Sequence, residues 1–188
     1  APGHEQSLMA TCWAVLSLEG MQRLADMPPA ELEAIGRWIQ EMQEPETGLF
    51  RDPLLQRFPV QSASHDEEYL LHQMTYFAIQ ALDALNMRPR HRLRFATRFN
   101  SPEAITDWLA GLDWSDAWLQ SNRVMFVLAF LIYTAEVEGD NAAPQAYHTA
   151  LDWLERTQDP RTGLWGTNVG ASTLNGMAAA YHFLPTLV

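Results

Sequence analysis

At 188 residues, 47% of them hydrophobic and only 19% charged, the chain has enough apolar material for a large core and too little charge for a disordered segment. Twelve basic residues against twenty-three acidic ones leave a formal charge of −11, which repels phosphate backbones and anionic lipid heads and excludes nucleic acid as a partner. The one basic stretch, Arg88, Arg90, Arg92, Arg94 and Arg98, reads as a solvated loop and helix face.

Cys12 is the only cysteine, so no intramolecular disulfide can form, and its neighbours Thr11, Trp13 and Ala14 suggest a packed thiol. The longest apolar run, Val124 to Tyr133, falls short of the roughly 18 residues of a membrane span. The chain opens at Ala1 without a basic-then-apolar leader, from which a cytoplasmic location is expected.

Periodicity and punctuation predict seven helices in one all-α domain over 1–188. The first runs from about Ser7 to Leu24. Pro28-Pro29 opens the second, to about Met42, as Pro suits a first turn. The third runs from near Asp66 to Asn86. Ser101 is the predicted N-cap of the fourth. The fifth spans about Ser121 to Glu138 and stops at Gly139. The sixth spans about Ala143 to Thr157, and the seventh about Ser172 to Phe183, ending before Pro185. No stretch alternates as a strand would.

One segment recurs. Trp38 to Phe50 reads WIQEMQEPETGLF, and Trp153 to Trp165 reads WLERTQDPRTGLW. Each copy closes a predicted helix: Pro45 or Pro160 stops it, Thr47-Gly48 or Thr162-Gly163 turns the chain, and the apolar pair after the glycine re-enters the core. Trp108-Leu109 to Leu112-Asp113-Trp114 looks like a degenerate middle copy without the Pro and Gly. The following helices also echo one another, as in Thr11-Cys12-Trp13-Ala14-Val15 and Thr75-Tyr76-Phe77-Ala78-Ile79. Helices two, four and six form a class with polar faces. Helices one, three, five and seven form a class that is more apolar all round and therefore expected to be buried. Two alternating classes imply two layers, with a period of about 50 to 60 residues per hairpin.

The helix-ending Q-x-P-x-T-G-L-[FW] turns resemble the repeats of the terpenoid cyclase and protein prenyltransferase α/α toroids, and similar hairpin rings carry polysaccharide lyases. The resemblance covers most of the chain and implies an inner and an outer ring of helices with a ligand site at the centre. The diagnostic chemistry of the first group is missing: there is no D-x-D-D run, and no Asp-x-Cys to pair with a distant His as a zinc site. Seven helices also make fewer hairpins than a full ring uses. The resemblance therefore leaves open an arc, a piece of a ring, or a half completed by a second copy or another chain.

In such a ring the inner helices open toward the cavity with their positive N-terminal ends. On the third helix His65, Glu68, Tyr69, His72, Gln73, Tyr76 and Gln80 recur at spacings of three and four, a polar stripe on an otherwise apolar cylinder. Left without partners, each buried group would cost about 1–3 kcal/mol, so the stripe faces other polar groups, water or a ligand. His72, Tyr76 and Glu68 are the candidate acid, base and partner carboxylate; His65, Tyr69 and Gln73 are candidate ligand contacts. His65, Glu68 and His72 can share a face but lack H-x-x-x-H spacing, so no metal and no other cofactor is expected. The fifth helix brings Trp118 and Asn122, and the seventh Asn175 and His182. These, with Trp165, read either as caps, amide bridges and core or as further lining of the cavity. Trp114 reads in the same two ways.

Three functions compete. Amides, carboxylates and Trp faces suit a carbohydrate-active domain of the lyase or hydrolase kind, the first choice. The repeat turn and the aromatic content suit a prenyltransferase-like or terpenoid-handling domain. The short length and the missing motifs suit a non-catalytic scaffold for protein partners.

Overall fold

The computed structural model describes residues 6–56, 66–167 and 173–187. Among them the fold is all-α, without a strand; a lone bridge joins Gln43 and Phe50. The seven α-helices are α1 (Leu8–Gly20), α2 (Pro29–Glu41), α3 (Glu67–Ala84), α4 (Pro102–Ala110), α5 (Ala117–Glu136), α6 (Ala143–Thr157) and α7 (Thr173–Leu187), joined in places by short 3-10 turns. No helix among the described residues is long and apolar enough to cross a membrane.

The helix starts follow the local chemistry. Ser7, Asp66 and Ser101 each accept a backbone N–H from the first turn of α1, α3 and α4, and Pro29 and Pro102 occupy first-turn positions. Three ends differ from expectation. Helix α1 stops at Gly20, four residues before Leu24, because Gln22 turns left-handed at φ 56° and the Arg23 N–H reaches back to the Leu18 carbonyl at 2.7 Å. Helix α5 begins at Ala117, four residues before Ser121, because Asp116 accepts the Leu119 N–H at 3.2 Å and caps an earlier turn. Helix α7 passes Pro185 and ends at Leu187. A proline in the last turn removes only one bond to the residue four back, so the helix tolerates it there.

Two compact units divide the chain, Ala1–Phe95 and Ala96–Val188. In the first, α1 packs along α3, with α2 against both. Its core gathers Leu8, Cys12, Ile39, Phe50, Ala78 and Leu82. In the second, α5 packs along α7, α6 lies on α5, and α4 lies on α6. Its core gathers Phe99, Ile105, Leu109, Val127, Leu154 and Phe183. The two helix classes are real: α2, α4 and α6 are strongly amphipathic, whereas the odd-numbered helices have no sharp polar side. Apolar-class helices pair with each other in both units. Burial all round holds best for α5. It fails for α1, where Ala10, Trp13 and Ala14 are exposed because no neighbour among the described residues covers that side.

The repeated turn is a repeat in three dimensions as well, bond for bond. The Gln43 amide donates to the Gly48 carbonyl at 3.0 Å, and Gln158 to Gly163 at 2.8 Å. The Glu44 N–H reaches the Leu49 carbonyl at 2.8 Å, and Asp159 reaches Leu164 at 2.9 Å. Thr47 and Thr162 each accept from the backbone N–H two residues on. The degenerate middle copy keeps one element of this scheme. The Trp114 indole donates to the Leu109 carbonyl at 2.9 Å, as the Trp165 indole donates to Leu154 at 2.8 Å. Both add a side-chain donor to a carbonyl in the last turns of a helix, where backbone donors run out.

Both turn glycines lie in the left-handed region, Gly48 at φ 81° and Gly163 at φ 70°. Only Gly48 is also crowded, since a Cβ there would stand 2.1 Å from the Arg92 carbonyl oxygen; at Gly163 the nearest atom would be 3.9 Å away. Gly163→Ala is therefore expected to cost about 1 kcal/mol, the left-handed penalty alone. Gly48→Ala should cost about 3 kcal/mol or more, because backbone must also move. Urea unfolding of the two variants measures the difference, and equal costs would disprove the close approach at Gly48.

Candidate functional site

The start of α3 is held by charge. Asp66 caps the helix, accepting the Tyr69 N–H at 2.8 Å, and Glu67 and Glu68 lie in the first turn, where the helix end favours anions. Arg51, just after the first repeat turn, donates to Glu44 at 2.6 Å and to Glu67 at 2.7 Å. It thereby straps that turn to α3. The hydrogen bond from Arg51 keeps the Glu44 carboxyl below its usual range.

The predicted polar stripe lies along α3. Glu68 is exposed, and its Oε1 stands 3.8 Å from Nε2 of the buried His72, near enough for charge to be felt but longer than a hydrogen bond. The His72 ring tilts against Phe95 with centroids 5.2 Å apart. Tyr69 is buried, while Gln73, Tyr76 and Gln80 are half-buried. Tyr76 meets Phe77 edge-on, and Phe77 meets Trp13 in the same way. His65 lies outside the described residues.

Gln73 also lines a cleft of about 310 Å³ with Ser7, Met9, Asp52, Leu70 and Met74. Asp52, which sequence reasoning did not single out, is the polar centre of this cleft. Buried at 5% exposure, it accepts the Ser7 hydroxyl at 2.9 Å, the Leu8 N–H at 2.7 Å and the Leu54 N–H at 2.9 Å. A carboxylate with three donors at the opening of α1 is stabilised by that helix end. Its only sequence signal is its place two residues after the repeat, since its partner helix lies more than forty residues upstream.

In the second unit, Asn175 and Asn122 converge on the backbone of one residue, Trp118. Asn175 Oδ1 accepts the Trp118 N–H at 2.7 Å, and Asn122 Nδ2 donates to the Trp118 carbonyl at 3.3 Å. Asn175 thus lends α5 a cap from α7. His182 Nδ1 is 2.7 Å from Ser121 Oγ, which also lies 2.7 Å from the Trp118 carbonyl. This Ser–His contact, between residues sixty-one apart, also escaped sequence reasoning. Ser121 has no solvent exposure, so the pair works as an interhelical bridge between α5 and α7 and not as a nucleophile and its base. Trp165 is buried edge-on against Phe183, whereas Trp118 stays 53% exposed. Trp114 stacks on Trp153 at 5.3 Å.

Among the described residues, no group of three or more His, Cys, Asp and Glu side chains gathers as metal ligands would. No family model, no curated protein and no solved structure matches the chain.

Two titrating groups give tests of this geometry. Burial first, and then the Asp52 charge, push the Cys12 thiol up to about 12. Native protein at pH 8 should leave Cys12 unmodified by a thiol reagent that labels the urea-unfolded chain fully; rapid native labelling would disprove the burial. Burial also lowers the His182 imidazole below its ordinary 6.5. The folded state therefore holds the neutral ring, and its contribution to stability is complete above pH 6.5 and declines as pH falls below that value. The thermal midpoint of wild type should drop more steeply between pH 7 and pH 5 than that of His182→Gln. Parallel profiles would remove His182 from the account.

Proposed function

We propose that the chain is a ligand-binding helical-repeat domain of the α/α-toroid kind that acts on a carbohydrate, with its ligand site on the polar face of α3. The observation that carries this reading is the pairing of exposed Glu68 with buried His72 at 3.8 Å, flanked by half-buried Tyr76 and Gln73. Carboxylate, imidazole, phenol and amide together donate and accept hydrogen bonds in both senses, as a polyhydroxylated ligand requires. The charge of −11 favours a neutral or weakly charged sugar over a phosphorylated one.

In this reading Glu68 and His72 are the acid–base pair, Tyr76 is the second proton donor, and Gln73 grips hydroxyls from the α1–α3 cleft. The second unit contributes scaffold more than contacts, because both amides and His182 are engaged with the α5 backbone and Ser121.

The test is a thermal-shift screen with acidic and neutral oligosaccharides and, as a second panel, prenyl diphosphates. A ligand present at about 100 times its dissociation constant stabilises the fold by about 2.7 kcal/mol. A sugar-panel shift is expected in wild type, weakened about tenfold in affinity by the isosteric Glu68→Gln at an exposed side chain, and abolished in His72→Ala. A shift with prenyl diphosphates alone would transfer the domain to the isoprenoid reading. Silence from both panels would sink the ligand reading and leave a scaffold for protein partners.

A further inference from the structure

The two copies of the repeated turn are alike within themselves and differ in what lies over them. In the first, the irregular segment that follows α3 runs across the face of α2. Gln40 donates to the Arg88 carbonyl at 2.6 Å and accepts from the Arg90 side chain at 3.3 Å. The Gln43 amide pairs with the backbone of His91 in both directions, at 2.8 Å each, as one peptide group pairs with another across a ladder. Met87 lies on Gly36, the Arg92 carbonyl lies on Gly48, and the Phe95 N–H reaches the Thr47 carbonyl at 3.0 Å. Gln43 and Gly48 are buried as a result.

Aligning the copies on Trp38 and Trp153 puts Gly36, Arg37, Gln40 and Gln43 opposite Leu151, Asp152, Glu155 and Gln158. In the second unit this face is an open cleft of about 400 Å³, lined by His148, Leu151, Asp152, Glu155, Gln158 and Trp165. Thr162 and Gly163, which match half-buried Thr47 and buried Gly48, are exposed, and a Cβ at Gly163 would meet only the Gln158 side chain. Gln158 uses one N–H on the Gly163 carbonyl, as Gln43 does on Gly48. Among the described residues its other N–H and its Oε1 make no further bond. Where the first copy offers Gln40, an amide that donates and accepts, the second offers Glu155, which only accepts, with Asp152 one turn back.

We propose that this cleft binds a basic peptide segment of a protein partner, held as α2 holds residues 88–93. One peptide residue exchanges its N–H and C=O with the Gln158 amide. The residue before it is Arg or Lys and reaches Glu155, as Arg90 reaches Gln40. A second cation two residues earlier, at the place of Arg88, lies toward Asp152. Leu151 fills the space that Gly36 leaves for Met87, so the peptide carries a small side chain there. The two carboxylates of the cleft and the overall charge of −11 select a basic occupant and make its binding fall with added salt.

The probe is a capped, fluorescein-labelled peptide with the sequence of residues 88–93, titrated with the full chain at low salt to about 1 mM and followed by anisotropy. Saturable binding to wild type is expected. Glu155→Lys should weaken it about fivefold, and Glu19→Lys, the same charge change on the exposed side of α1, should leave it nearly unchanged. The same peptide methylated on the backbone nitrogen of its histidine keeps every charge but cannot donate to Gln158, and is expected not to bind. That control needs no altered protein, so it holds whether or not a variant folds. No saturable binding in wild type overturns the proposal. So does equal affinity for the methylated and plain peptides, since attraction between opposite charges would then account for binding. An equal loss in the two Lys variants overturns it as well.

Discussion

The fold depends on how each amphipathic helix ends. A helix that stops inside a core leaves carbonyl groups without partners, and the turn that follows must satisfy them within a few residues. Here a glutamine amide reaches across the turn to the glycine carbonyl, a threonine hydroxyl takes the next N–H, and a left-handed glycine reverses the chain. With the backbone so satisfied, Phe50 or Trp165 can enter the core completely. The two copies differ in what they touch beyond themselves. Gln43 also binds the backbone of His91 in both directions, at 2.8 Å each way, so the first turn is tied to the Arg-rich segment, whereas Gln158 binds only its own turn among these contacts.

The polar groups of the interior follow the same logic at longer range. Asp52 closes the opening of α1, Asn175 closes that of α5, and the Ser121–His182 contact ties α5 to α7. Asp52 and the Ser121–His182 contact take donors or acceptors that a packed helix cannot offer to water, whereas the Asn175 cap is exposed. No buried side-chain nitrogen or oxygen among the described residues is left without a partner. Interior polarity in this chain therefore works mainly as fastening. The α3 face differs in that Glu68, Gln73 and Tyr76 keep part of their surface in solvent.

The arginine stretch shows how a charged segment can be solvated and still structural. Arg88 and Arg90 are exposed, yet the Arg88 carbonyl accepts the Gln40 amide at 2.6 Å and Arg90 donates to Gln40 at 3.3 Å. Arg98 lies over the Phe99 ring at 4.4 Å, and partial burial lowers its pKa. The backbone of Arg88 and His91, with the Arg90 side chain, thus braces α2 and the first turn. In a chain so acidic, these few cations serve the fold better dispersed than gathered in a patch.

The sequence by itself determined the all-α class, the seven helices, the two helix classes and the repeated turn. All of these rest on local rules: apolar spacing near 3.6, caps within three residues, and proline and glycine at fixed offsets. Helix α6 was legible to the residue, and the polar stripe of α3 was legible as a pattern. Tertiary structure alone decided which stripe residues are buried and which half-exposed, that Asp52 rather than a residue of the stripe is the buried carboxylate, and that Asn175, His182 and Ser121 fasten helices. It also decided that α1, apolar on every side, keeps one flank bare. The physical reason is distance along the chain. Asp52 and Leu8 are forty-four residues apart, and Ser121 and His182 sixty-one. No periodicity within a helix carries information about a partner that far away, and it is set only once the helices have packed.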